Sequence, residues 1–189
     1  MKKKSNKNKE TFLHVCERYL FYFLICAMIG WLYEVFFEMV IWQQPFSNRG
    51  VLFGPWLPVY GFGAVLIISI FGRFVTGKSL KTKLLLIPVI FLLCMFIATA
   101  IELFTSYLCE WTMGSWPWQT YKDYAINFQG RIALSPSIRF GIGGVVFLYL
   151  LQPLFEKLTD KLGENRTKTI ACVLGTIVVI DMIYTFLIK

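Results

Sequence analysis

Four carboxylates and two arginines carry most of the chemistry open to this chain. Glu34 and Glu38 lie one helical turn apart, and the segment after them contains Asn48-Arg49-Gly50. Glu102 and Glu110 lie about two turns apart, and the segment after them contains Gly130-Arg131, with Arg139 close behind. A carboxylate beside an arginine makes a structural ion pair, or it serves as acid or base while the guanidinium clamps a phosphate. Asp181 is a further acid inside the last apolar run. A charge at the centre of a bilayer costs roughly 2.5–3.5 kcal/mol on insertion scales, so such residues persist by pairing or by lining a watery cavity.

The residues around these charges repeat. After Arg49-Gly50 come Gly54-Pro55, Pro58 and Tyr60-Gly61-Phe62-Gly63; after Gly130-Arg131 come Ser135-Pro136 and Phe140-Gly141-Ile142-Gly143. In both places a carboxylate-bearing helix precedes an Arg/Gly element, and a small-residue–proline pair and a Gly-x-Gly step open the next helix. Two helix pairs of the same orientation would be related by an axis along the membrane normal. The echo is imperfect, because the intervening loops differ in length and the Arg/Gly order is reversed. Pro55, Pro58 and Pro136 suit the first turn of a helix, where a missing N–H costs little. The glycines permit close helix approach or a broken backbone lining a cavity. A helix start facing a pocket would offer N–H donors to an anion. The candidate pocket therefore comprises Glu34, Glu38, Asn48, Arg49, Tyr60, Glu102, Glu110, Arg131, Ser135 and Asp181, with Gly50, Gly54, Gly61, Gly63 and Gly141 shaping its backbone.

The elements that must position these residues are membrane helices. The chain has 189 residues, 57% of them apolar and 16% charged, and its mean hydropathy is +0.61; a soluble domain has about 45–50% apolar residues. Five runs reach the roughly 20 apolar residues that a spanning helix needs: 19–42, 57–75, 84–109, 134–155 and 169–188. The expected fold is an all-α integral membrane protein. Residues 1–18 form a basic cytoplasmic segment, and 19–189 form one polytopic domain with repeat halves 19–75 and 84–155 and a last span at 169–188. Of the 19 basic residues, 14 fall in 1–18, 73–83 and 157–168. By the positive-inside rule those segments are cytoplasmic, which gives an N-in, C-out orientation and puts 43–56 and 110–133 outside. The Trp- and Tyr-rich stretch 111–133 reads as an interfacial aromatic belt or as a surface that receives an amphipathic substrate. No signal peptide is evident, because the first apolar run continues without a cleavage site.

Several chemistries are set aside. Nucleic-acid binding is not expected, since the +8 net charge is divided among membrane-flanking segments. Cys16, Cys26, Cys94, Cys109 and Cys172 show no CxxC pairing and read as inert thiols. His14 stands alone, so neither a metal site nor a cofactor is expected. Gly72-Arg73-Phe74-Val75-Thr76-Gly77-Lys78-Ser79 matches the phosphate-loop pattern by letter, but it lies between two spans with no sheet domain around it. Ser135-Pro136-Ser137 has no histidine partner, and no catalytic residues are assigned.

With these residues in view, "GWLYEV" at 30–35, "NRGVLFGPWLPVYGFGA" at 48–64, "ELFTSYLCE" at 102–110 and "GRIALSPSIRFG" at 130–141 resemble bacterial membrane proteins described as ABC-transporter permeases, the CmpB-like or type IV family. The resemblance covers about residues 19–155, and 48–64 is its most specific part. It implies a permease of the bacterial plasma membrane, without a substrate and without catalytic residues.

Three functions fit. The first is a permease-like transport component, surrounded by membrane lipids, that self-associates or pairs with a separate ATPase; only 156–168 offers an inner surface for such a partner. The second is an accessory or sensor protein whose Glu/Arg cluster is structural. The third is a membrane-embedded enzyme acting on a lipid-linked or phosphorylated substrate at the outer face, with Glu34 or Glu102 as acid/base and Arg49 or Arg131 as the phosphate clamp.

Overall fold

Helix ends in this protein follow local chemistry. The helix Leu80–Met113 (α3) starts at Ser79, whose hydroxyl accepts the N–H of Thr82 at 3.3 Å, and stops at Gly114, whose φ of +77° lets its N–H reach the carbonyl of Glu110. These are the standard polar N-cap and left-handed C-cap. The computed structural model describes residues 2–188. Its other helices are α1 (Lys2–Phe36), α2 (Pro58–Val75), α4 (Leu134–Val146), α5 (Gln152–Leu162) and α6 (Glu164–Ile183). π-Helical turns extend α1 over Phe37–Ile41, join α4 to α5 over Phe147–Leu151 and extend α6 over Tyr184–Ile188.

Five helical segments among the described residues are long and apolar enough to cross a membrane: Phe12–Ile41, Pro58–Val75, Leu80–Thr112, Leu134–Leu162 and Glu164–Leu187. All five expected spans are present, but their bounds shift: the first starts at Phe12 instead of 19, the third covers Leu80–Thr112 instead of 84–109, and the fifth starts at Glu164 instead of 169. The fourth runs to Leu162 instead of ending at 155, and the polar stretch 156–168 is helical on both sides of Gly163. Residues 152–162 are strongly amphipathic and rich in helix-favouring Leu, Lys and Glu, so only Gly163, at φ +77°, is left to turn the chain. The all-α expectation also misses a small hairpin, in which β1 (Asn127–Phe128) pairs antiparallel with β2 (Ile132–Ala133). Gln129 and Gly130, both at positive φ, make its bend. The phosphate-loop-like run is the last turn of α2, a bend at Gly77 and the Ser79 cap.

The chain forms two compact units, one built from Met1–Leu66 and Leu154–Lys189, the other from Ile67–Pro153. In the first unit α1 packs along α6, and Leu24, Leu52, Trp56 and Val178 make a buried cluster. One end of this pair is held by Lys168–Glu17 at 3.0 Å, and Arg18–Asp160 at 3.5 Å ties α1 to α5. In the second unit α3 packs along α4. Their closest approach needs glycine: a Cβ on Gly144 would lie 2.5 Å from the sulfur of Cys94.

Candidate functional site

In the first unit the polar residues gather where α1 ends. The π-helical turn carries Glu38, which is only 8% exposed. Its Oε1 pairs with the Arg49 guanidinium, and its Oε2 accepts the Ser47 hydroxyl at 3.2 Å. One turn earlier, Glu34 Oε1 accepts the Tyr60 hydroxyl from the first turn of α2. Tyr60 fits there because Gly30 on α1 has no side chain; any Cβ would collide with the Tyr60 ring.

The loop after α1 folds back over the helices. Asn48 organises it: its Oδ1 accepts the indole N–H of Trp31 at 2.7 Å, and its Nδ2 donates to the carbonyls of Leu52 and Phe53 at 3.0 and 2.9 Å. Leu52 and Trp56 then insert between α1 and α6. Among the described residues Asp181 pairs with no arginine. Its carboxylate accepts the backbone N–H of Phe53 at 3.0 Å and of Gly54 at 2.8 Å, and the Thr185 hydroxyl at 3.2 Å. A Cβ on Gly54 would lie 3.0 Å from that carboxylate. Gly50 bends the loop at φ +89°. Pro58 is the first residue of α2 as expected, whereas Pro55 lies before the helix.

In the second unit a related cluster surrounds Arg131, which is 7% exposed. Its Nη2 pairs with Glu110 and its Nη1 donates to Ser106 at 3.5 Å. The rings of Tyr107 and Trp116 flank the guanidinium, each with its centroid 4.1 Å from Cζ. Trp116 donates its indole N–H to the Gly130 carbonyl at 3.0 Å, and Trp118 donates to the Arg131 carbonyl at 2.8 Å. These two indoles therefore hold the hairpin, while Trp111, 84% exposed, is the one with an open face.

Glu102 belongs to a separate network. Its Oε1 accepts the Tyr121 hydroxyl at 2.8 Å, and its Oε2 is buried with no hydrogen-bond partner among the described residues. Burial pushes the Tyr121 phenol up, and the Glu102 charge pushes it further; Arg139 acts in the opposite sense. Tyr121 therefore stays a donor across the physiological range. Tyr124 packs edge-on against Tyr121 and accepts a hydrogen bond from Arg139 at 2.8 Å.

The backbone residues divide. A Cβ on Gly61 would lie 2.6 Å from the Phe23 carbonyl, and one on Gly141 would lie 2.9 Å from the Phe91 carbonyl, so both sites require glycine. Gly63 and Gly143 have nothing within 4 Å of an added Cβ. Ser135 is exposed on the first turn of α4, next to the buried Pro136. The buried serine is Ser137, which donates to the Ala133 carbonyl at 2.9 Å and accepts the Thr99 hydroxyl at 2.7 Å.

The structure adds Gly30, Ser47, Ser106, Tyr107, Trp116 and Tyr121 to the residues read from the sequence. Ser106 was within reach, because it stands four residues after Glu102 as Glu38 stands four after Glu34. The aromatic partners of Arg131 carry no such spacing signal. A family model described as "Putative ABC-transporter type IV" matches residues 21–186. No curated protein and no solved structure matches the chain.

Proposed function

We propose, given that the chain belongs to the ABC-transporter type IV family, that it is a permease-like transport component of the bacterial plasma membrane with a polar Glu/Arg site in the outer half of the bilayer. The single observation that carries this reading is the common wiring of the two units. In each, an arginine from a returning loop pairs with a carboxylate at the C-terminal end of a long helix, and a tyrosine hydroxyl donates to a deeper glutamate. In each, a Gly-x-Gly step packs its first glycine against a phenylalanine carbonyl, Phe23 or Phe91, eleven residues before that deeper glutamate. The coincidence supports an internal duplication of parallel helix pairs. With the basic turn at 73–83 and the helix ends around Gly163 in the cytoplasm, both clusters fall near the outer face.

The two arginines differ in availability. Arg131 is enclosed by its ion pair and two rings, whereas the Arg49 side chain is 34% exposed. Arg49 is therefore the cation we assign to an incoming solute, and Arg131 holds its loop in place. Because the α2–α3 bend is short, α5 with its amphipathic face carrying Lys157 and Lys161 is the surface for a separate ATPase. The test is purification of the tagged protein from native membrane. A stoichiometric ATPase, lost on charge reversal of Lys157 and Lys161, is the expected result. Purification without any ATPase would displace the transport reading in favour of an accessory protein with a structural cluster, which the enclosure of Arg131 favours.

A further inference from the structure

The second unit has a groove of about 300 Å³, whose lining residue Thr99 lies one turn before Glu102 on α3. Its lining is mostly apolar and includes Met95, Phe96, Phe128 and Leu134, with the hydrogen-bonded hydroxyls of Thr99 and Ser137 at its wall. Three elements supply both the groove and the polar cluster. Thr99 and Glu102 are three residues apart on α3, which puts them on one face a turn apart. Ile126, which also lines the groove, follows Tyr124 by two residues, and Arg139 of α4 joins the cluster through its bond to the Tyr124 hydroxyl.

Depth along α3 sorts the two parts. Counted from Leu84, the first apolar residue after Lys83, Glu102 lies about 27 Å further along the helix. A hydrocarbon core is about 30 Å thick, so Glu102 reaches its far boundary while Met95 and Thr99 stay inside. The groove therefore lies at the depth of acyl chains, and the cluster lies where headgroups begin.

The charges at that boundary have both signs. Glu102 has a buried Oε2 with no partner among the described residues. Arg139, exposed on α4, donates to Tyr124 and keeps further N–H groups beyond that bond. A buried acceptor and an accessible guanidinium complement an ammonium and a phosphate held close together. An anionic headgroup without an amine would leave Glu102 unsatisfied, at the cost of a buried unpaired acceptor.

We infer that the groove and the Glu102–Tyr121–Tyr124–Arg139 cluster form a binding site for a zwitterionic, amine-bearing phospholipid, with an acyl chain along Thr99 and Ser137, the ammonium on Glu102 and the phosphate on Arg139. The inference concerns residues of the proposed transport site but needs no flux and no ATPase. Its failure and the failure of the transport reading are therefore separable.

The experiment is native mass spectrometry of the purified full-length protein in detergent, supplied with phosphatidylethanolamine and phosphatidylglycerol of matched chains. Phosphatidylethanolamine is expected to be retained about tenfold over phosphatidylglycerol, the scale of one charge-assisted hydrogen bond. Glu102→Gln should abolish that preference. Arg139→Gln should weaken both lipids, and Ile126→Trp, which fills the groove, should remove both. Free glycerophosphoethanolamine should not compete, because it has no chain for the groove. Equal retention of the two lipids by the wild-type protein would overturn the assignment, as would a preference untouched by these substitutions. If Glu102→Gln fails to fold, the exposed Arg139→Gln decides alone: retention unchanged by it sinks the proposal.

Discussion

The Asp181 carboxylate accepts the backbone N–H of Gly54 at 2.8 Å, across 127 residues of chain. With the second bond, from Phe53, it ties the loop that bears Asn48 and Arg49 to the last helix. Hydrogen bonds to a charged acceptor are worth about 1.5–3 kcal/mol. Asp181→Ala should therefore lower the melting temperature in detergent and open the loop to proteolysis, while Asp181→Asn, which keeps one acceptor oxygen, should do less. Equal melting of the alanine variant and the wild type would show that the Leu52 and Trp56 anchors hold the loop unaided.

The two arginines should respond differently to lysine. Arg131 has two ring faces at 4.1 Å and a buried setting, and a lysine cannot reproduce the planar stack. Arg131→Lys should cost about 2 kcal/mol, the value of desolvated cation–π contacts. Arg49→Lys should melt within about 1 kcal/mol of the wild type, since a partly exposed pair contributes little, yet it should impair the transport proposed above. Thermal unfolding of the two variants side by side checks the contrast, and the reverse ranking would remove the distinction drawn between the clusters.

The Gly-x-Gly steps offer a test within two residues. Gly61→Ala and Gly141→Ala drive a methyl against the carbonyls of Phe23 and Phe91 and should each destabilise by about 1–3 kcal/mol through overpacking. Gly63→Ala and Gly143→Ala meet open space and should be neutral or gain up to about 1 kcal/mol from helix propensity. Melting of the four single variants reads this out.

Orientation is open to chemical labelling. Val51, 71% exposed on the loop after α1, and Lys78, in the α2–α3 bend, should lie on opposite faces of the membrane. In a background without the native cysteines, Val51→Cys should react with an impermeant maleimide on intact cells. Lys78→Cys should react only after the cells are opened, and the opposite pattern would invert the topology.

Spans, breaks and charges were legible along the chain because each depends on neighbouring residues alone. Apolar run length marks the five helices, and proline at 58 suits the first turn of α2 on local geometry alone. The family wording at 48–64 was legible in the same way. What tertiary structure decided was which partner each polar residue takes. Asp181 could have met an arginine, but it caps two backbone N–H groups. Glu38 is turned inward by a π-helical turn that residues 37–41 do not announce. Arg131 is enclosed by Tyr107 on its own unit's long helix and by Trp116 in the loop. Hydropathy and helix propensity add up locally along a chain, whereas a hydrogen bond or a ring stack exists only when folding brings distant segments within a few ångströms.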